Sequence, residues 1–501
     1  MLFNSYEFIL VFLPITLVVF FYIGNIGHHR VAITWLVAAS LFYYGWWNPA
    51  YLSLILASMF VNYGFGVVLG RQSASEGIRT WNKKTLLILG IALNLGLLGY
   101  FKYANFFVDT VNYLAGSQFN LEKIILPLAI SFFTFQQIAY LVDAYRGEAR
   151  EYNFLHYCLF VCFFPQLIAG PIVHHKQMLP QFAREETYRF NIDNFTIGLA
   201  IFVIGLFKKV VFADSLALHA NPVFDQVGGD ISLIDGWVAA LSYTFQLYFD
   251  FSGYSDMAIG VALMYGIRLP VNFNSPYKST SIIEFWRRWH ITLSTFLRDY
   301  LYIPLGGNRG GKVRKHVNLM ITMLLGGLWH GAGWTFVIWG GLHGLYLIIN
   351  HVFRAGVALA RITFWSESVL VKWFSRLLTF LSVVVAWVFF RAPDFDRATN
   401  IISSMLGNGA VGSLDMSTHV PAIMLISLSF LIAWFMPNAQ EYMASAKDGA
   451  KTTDNGYGPW YRKIFLFKYS KFHMVLISLM ILIVFMMMQS VQKSEFLYYD
   501  F

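Results

Sequence analysis

Glu284-Phe-Trp-Arg-Arg-Trp-His290 opens the stretch whose reading decides the fold, and it extends to Gly344. It continues through Arg298-Asp299-Tyr300 and the turn-rich Pro304-Leu-Gly-Gly-Asn-Arg-Gly-Gly311. It ends in Leu328-Trp-His-Gly-Ala-Gly-Trp334 and an apolar run that reaches Ile349. A basic segment therefore leads directly into an apolar one that carries a histidine. Ionisable side chains at membrane depth are costly and mark chemistry or transport. The pairing points to an enzyme rather than a passive span.

The rest of the chain supports a membrane setting. Its 501 residues are 57% hydrophobic and 13% charged, whereas soluble domains carry about 25% charged residues. Mean hydropathy is +0.55. A bilayer crossing needs ~20 apolar residues, and about a dozen stretches approach that length. They lie near 7–24, 31–47, 50–69, 85–101, 124–142, 154–173, 195–212, 236–265, 317–349, 374–390, 420–437 and 471–488. The two longest exceed one crossing and are expected to kink, tilt or re-enter. The expected class is all-α: a polytopic integral membrane protein with about 11–13 transmembrane helices, plus interfacial or re-entrant helices near Phe207-Lys-Lys-Val210 and 268–316. The whole chain, 1–501, reads as a single membrane domain. The first apolar segment lacks a basic leader and reads as a retained span. Cys158 and Cys162, the only two cysteines, read as packing residues; the count excludes a disulfide framework or metal site.

Charge placement adds direction. Of the net +9, Arg268–Lys315 contributes +7, from nine basic residues against Glu284 and Asp299. By the positive-inside rule that segment faces the cytoplasm, as does the loop Arg71–Lys84. The short neutral link at Asn48-Pro49 then lies outside, and the amino terminus with it. Within such a chain the basic cluster is no nucleic-acid site; anionic lipid head groups are the competing explanation. The acidic, glycine-rich Asp225–Asp235 reads as an exposed loop, and 440–470 as a polar loop before the last span.

His330 is the first site candidate. A helix rising 1.5 Å per residue from Val317 puts it ~20 Å deep, and imidazole accepts protons near neutral pH. Its face includes Gly326, Gly327 and Gly333, which imply either close helix packing or a slot beside the ring. His343 lies on another face unless the helix breaks, and reads as structural or secondary. His290 follows a helix whose Glu284 is spaced to pair with Arg287 or Arg288, and whose Phe285, Trp286 and Trp289 suit an interface. It opens an apolar run and could share the cavity of His330. Gly306–Lys312 matches the P-loop spacing, but Val313 replaces the required Ser or Thr and no strand precedes it. A backbone nest beside Arg309, Lys312 and Arg314 could still hold a phosphate, as could a plain surface turn be all that is there. Asp250, Tyr254 and Asp256 bring polar groups into an apolar segment, for hydrogen bonds, ion pairs or chemistry.

These motifs resemble the membrane-bound O-acyltransferase family, in its bacterial alginate O-acetyltransferase branch. The matching pieces are Phe164-Pro-Gln-Leu-Ile-Ala-Gly-Pro-Ile172, Tyr248–Asp256, Phe285-Trp-Arg-Arg-Trp-His-Ile291, Arg298–Gly307 and Leu328-Trp-His-Gly331. The resemblance is strongest over about 120–345, with a family core of approximately 120–400. It implies a helical ring around a central tunnel or funnel, in a bacterial inner membrane, with the signature histidine at His330. His290 stands where eukaryotic lipid-acylating relatives carry asparagine. The family moves a small acyl group, in this branch usually acetyl, toward an extracytoplasmic polysaccharide with periplasmic, esterase-like partners. On that picture His330 is the general base and His290 assists. Arg287, Arg288, Arg298, Arg309 and Lys312 receive the donor, acetyl-coenzyme A or an acidic acyl-carrier protein, and no permanently bound cofactor or metal is expected. Trp286, Trp329, Asp250, Tyr254, Asp256 and Asp299 support the tunnel. The alternatives are D-alanyl transfer to teichoic acid, a glycan or lipid transporter, and a scaffold without chemistry.

Overall fold

The computed structural model describes residues 1–74, 82–149, 153–226, 228–359, 368–410, 412, 415–447, 471–490 and 496–497. The described residues are helical, apart from turns and one isolated bridge between Ser232 and Ala410. Among the described residues, seven helices are long and apolar enough to cross a bilayer: Glu7–Asn25, Ala50–Gly70, Lys83–Ala115, Ile192–Phe224, Trp334–Val357, Val369–Arg391 and Lys471–Gln489. The remaining expected spans are shorter or more polar. His29–Gly45 has 17 residues, Ile130–Tyr145 has 16, and His419–Phe435 has 17.

One expected span resolves differently, and the two longest runs each take a definite form. The apolar run at 154–173 stops as a helix at Cys162, then makes only the short turn Phe164–Leu167. Pro165, Gly170 and Pro171 explain the stop, because proline restricts the preceding residue and cannot donate to the helix. The run at 236–265 is one helix, Leu233–Met264, of 32 residues, ~48 Å at 1.5 Å per residue, longer than one upright crossing. The run at 317–349 breaks. Gly311–His330 and Trp334–Leu359 are two helices joined by a short turn. Of the expected loop Asp225–Asp235, the described residues up to Ser232 are non-helical and helix begins at Leu233; the expected loop at 440–470 begins with the helix Ala439–Lys447. Residues 75–81 of the basic loop and 448–470 lie outside the described residues.

The chain gathers into two compact units. The first combines Met1–Phe202 with Met257–Pro270. There Asn62 and Asn94 exchange amide hydrogen bonds of 3.2 and 2.5 Å between two apolar helices, a side-chain bond that holds helices together where water is absent. Gly198 and Gly260 meet so closely that a Cβ on Gly260 would lie 2.5 Å from the Gly198 carbonyl oxygen. Cys158 and Cys162 are buried and unlinked.

The second unit combines Val203–Asp256 with Val271–Leu497. Gly205 and Gly253 repeat the glycine contact, with a Cβ on Gly253 falling 2.7 Å from the Gly205 carbonyl oxygen. This close approach brings lysines and aspartates together. Lys209 bonds Asp214 at 2.8 Å and Asp250 at 2.6 Å, and Lys208 bonds Asp256 at 2.6 Å. The lysines occupy a π-helical turn, Lys208–Ala213, inside the apolar helix Ile192–Phe224. Phe207-Lys-Lys-Val210 is therefore not a surface helix. Carboxylates on the neighbouring helix neutralise charges that would otherwise be excluded from such a position.

Candidate active site

The local break after His330 sets the geometry. His330 is the last residue of its helix, and Gly331 turns extended at φ −155°. A side chain at Gly331 would strike the Phe336 ring, its Cβ 2.1 Å from Cε2. The two helices then run back against each other. A Cβ on Gly327 would meet the Phe336 carbonyl oxygen at 2.2 Å, and one on Gly340 the Met323 carbonyl oxygen at 2.3 Å. Gly327 therefore serves close packing rather than a slot. The helix end holds the His330 ring inside a buried aromatic cage. Its centroid lies 5.0 Å from Trp329, 5.0 Å from Trp339 and 5.2 Å from Phe390.

His290 faces the same cage, its ring centroid 6.4 Å from that of His330 and 6.4 Å from that of Trp329. Both histidines are buried, at 0% and 3% exposure. His290 caps the helix Ile291–Leu297 in the left-handed region, φ 41°. A non-glycine residue there costs ~1–2 kcal/mol, so its surroundings must impose the conformation. They do so through an extended strap: the Asn274 N–H bonds the Arg288 carbonyl, and the Ile291 N–H bonds the Asn272 carbonyl, each at 2.9 Å. Strain of this kind is often held at functional sites.

Asn272 also sets the protonation of the ring. Its Oδ1 accepts from the Thr292 N–H at 3.3 Å and the Thr292 hydroxyl at 2.8 Å. Its Nδ2 donates to the Ser255 hydroxyl at 3.3 Å. Those bonds identify Oδ1 as oxygen. His290 Nδ1, 3.1 Å away, must then carry the hydrogen, and the neutral ring keeps its lone pair on Nε2. The Phe251 ring, 4.7 Å off at 85°, braces the imidazole edge-on.

The break also brings His343 near, within 4.8 Å of Trp339. Its Nδ1 accepts from the Trp286 indole N–H at 3.2 Å. The half-buried Trp286 and the buried His343 thus brace each other beside the cage. Trp286 supports the site at one remove, and Trp329 lines it.

The basic residues divide by partner. Arg288 bonds Glu284 at 2.9 Å and the Asn274 carbonyl at 3.2 Å, which fastens its helix to the strap. Glu284 also accepts from the Thr280 N–H and hydroxyl, both at 2.9 Å. Burial pushes the Glu284 carboxyl up, but these bonds and Arg288 outweigh it and hold the group below its ordinary range. Arg298 is exposed and bonded to the adjacent Asp299 at 2.6 Å. Arg287, Arg309 and Lys312 are exposed, with no ion-pair partner among the described residues. Asp250 and Asp256 do not enter the cage. Besides its lysine, Asp250 accepts from the Leu497 N–H at 3.1 Å, and Tyr254 packs against Phe496 at 4.8 Å. Sequence reasoning missed Asn272, Thr292, Trp339 and Phe390, none of which belongs to a motif that spacing alone marks out.

Comparison with known proteins is consistent across the chain. The model of MBOAT, the membrane-bound O-acyltransferase family, matches residues 125–389. A peptidoglycan O-acetyltransferase from Helicobacter pylori is 41% identical, covering 90% of this chain and 93% of its own. A probable alginate O-acetylase AlgI from Azotobacter vinelandii is 44% identical over 82% of this chain and 79% of its own. A teichoic acid D-alanyltransferase from Streptococcus thermophilus is 31% identical over 44% of this chain and 56% of its own.

Proposed function

The chain belongs to the membrane-bound O-acyltransferase family and is a multi-pass O-acyltransferase; from that premise we propose that it moves acetyl from a cytoplasmic thioester to an extracytoplasmic polysaccharide, with His330 as general base. The donor is acetyl-coenzyme A, received at the exposed Arg287, Arg309 and Lys312. The acceptor is a glycan hydroxyl, of alginate or peptidoglycan type, reached directly or through an esterase-like partner outside the membrane. Both imidazoles are buried, so donor and acceptor reach them through a passage inside the protein.

His330 takes the proton as the acceptor oxygen attacks the thioester carbonyl carbon. The C–S bond breaks, an ester forms, and the departing thiolate recovers the proton from the imidazolium. His290, with Asn272 holding its lone pair on Nε2, accepts a hydrogen bond from a neighbouring hydroxyl of the glycan and so orients the one that reacts. A dry aromatic surround limits loss of the thioester to water.

The observation that carries this reading is the buried pair of imidazoles, 6.4 Å apart between ring centroids, one with its tautomer pinned. The relatives favour acetyl over D-alanyl: the acetyl-named proteins match 90% and 82% of this chain at 41% and 44% identity, the D-alanyl-named ones 44% and 54% at 31% and 26%. A general base contributes roughly 10²–10⁴-fold, so His330→Ala in purified protein should lower acceptor-dependent thioester consumption by that factor while melting normally. Unchanged acetylation by the folded variant refutes the assignment. A transporter or scaffold would consume no thioester in either form.

A further inference from the structure

A second cluster of basic groups lies away from the cage, where Gly311–His330 and Trp334–Leu359 run side by side. Lys315 is 15 residues before His330, ~22 Å along the helix. Its Nζ lies 3.4 Å from His351 Nδ1. The His316 ring stacks toward His351 at 6.4 Å and 27°. Arg354 sits one turn beyond His351 and donates to the Ser281 hydroxyl at 2.9 Å.

Among the described residues no carboxylate pairs with any of the four. Elsewhere in this unit Lys208, Lys209, Arg288, Arg298 and Arg391 each have one. Gathering basic groups without a counter-charge is unfavourable, and a bound anion relieves it. The adjoining surface is apolar and exposed: Val313 and Val317 on one helix, Ile349, Val352 and Phe353 on the other. A basic cluster beside an apolar face at the end of a helix pair matches the boundary between lipid tails and head groups.

We propose that Lys315, His316, His351 and Arg354 bind a phosphate group, that of an anionic phospholipid or free in solution. Arg and Lys supply charge-assisted donors to phosphate oxygens, and the imidazoles add two more donors. This site stands apart from the acyl-transfer reading, and its test does not measure acylation.

Full-length protein in phosphatidylcholine nanodiscs, with or without phosphatidylglycerol, would be released for native mass spectrometry. Inorganic phosphate would be titrated calorimetrically into the phosphatidylcholine discs. Wild type is expected to retain phosphatidylglycerol in preference to phosphatidylcholine. At ~1 kcal/mol per basic residue near an anionic surface, Lys315→Gln should weaken retention roughly fivefold, and the double variant Lys315→Gln/Arg354→Gln about 25-fold. Lys315→Arg should restore it. Because Arg354 also holds Ser281, the single lysine variant guards against a folding defect. Binding of inorganic phosphate that the variants lose, without lipid retention, would assign the same site to free phosphate. Equal binding of both ligands by wild type and the lysine variant overturns the proposal.

Discussion

Replacing Asn272 by leucine tests whether His290 works through a fixed tautomer. The Asn272 Oδ1 accepts three hydrogen bonds, from His290 Nδ1, the Thr292 N–H and the Thr292 hydroxyl. Leucine keeps the volume and removes the acceptor. Each buried donor left unsatisfied costs ~1–3 kcal/mol. The hydroxyl can rotate to another partner, which leaves two, so a loss of roughly 2–6 kcal/mol in stability is expected. The functional effect is separate. Without the oxygen, the ring is free to place its hydrogen on Nε2 and to tilt, and a 1 Å misplacement can cost ~10²-fold in rate. The assay is acceptor-dependent thioester turnover against pH, read beside a melting curve in the same detergent. Asn272→Asp is the companion: a carboxylate still accepts from Nδ1–H and favours the imidazolium, so turnover should persist with its acidic limb moved to higher pH. A destabilised Asn272→Leu protein that turns over at the wild-type rate would refute the orienting role. So would an Asn272→Asp profile identical to wild type.

Three further outcomes follow from the same contacts. Lys209→Met strands Asp214 and Asp250 in a buried position, and breaking such a pair costs ~3–5 kcal/mol; the melting temperature should fall sharply and recover when both aspartates become asparagine. Arg287→Gln should raise the donor KM several-fold with kcat unchanged, since Arg287 is exposed and has no carboxylate partner among the described residues; an unchanged KM removes it from the donor site. The Glu284 carboxyl is held below its ordinary value of 4.5, so its contribution to stability is fully present above pH 4.5. It is lost as the pH falls through the depressed value. The stability gap between wild type and Glu284→Gln should therefore be constant above pH 4.5 and close below it, measured by thermal melting; a gap that widens in acid contradicts the sign.

Much of this molecule is legible in its sequence because hydropathy and helix period are local properties. The spans at Ala50–Gly70, Val369–Arg391 and Lys471–Gln489 needed nothing more. The Glu284–Arg288 pair and the prominence of His330 were likewise visible in spacing and in the cost of burying an imidazole. What escaped is set by long-range contact. Lys208 and Lys209 read as interfacial because two of their three carboxylates, Asp250 and Asp256, lie more than 40 residues further on in the chain. Asn272 sits in a strap with no periodic pattern, and its role exists only once Thr292 and His290 are brought to it. The break after His330 was hidden because Gly331-Ala-Gly333 is as apolar as its flanks. Only the contact between Gly327 and Gly340 gives those glycines their meaning.

The buried lysines also bear on how the protein is made. Ile192–Phe224 emerges from the ribosome carrying Lys208 and Lys209, while Asp256, 48 residues beyond Lys208, is still unsynthesised. A lone lysine at the centre of an inserting helix costs ~2.5–3.5 kcal/mol. On its own that helix is expected to insert incompletely, and to settle into lipid together with Leu233–Met264 as a paired unit. Because Glu7–Asn25, Ala50–Gly70 and Lys83–Ala115 already anchor the nascent chain, the readout is local: arrested before Asp250, this segment should be open to an added protease, whereas in a chain extended well past Met264 it should be protected.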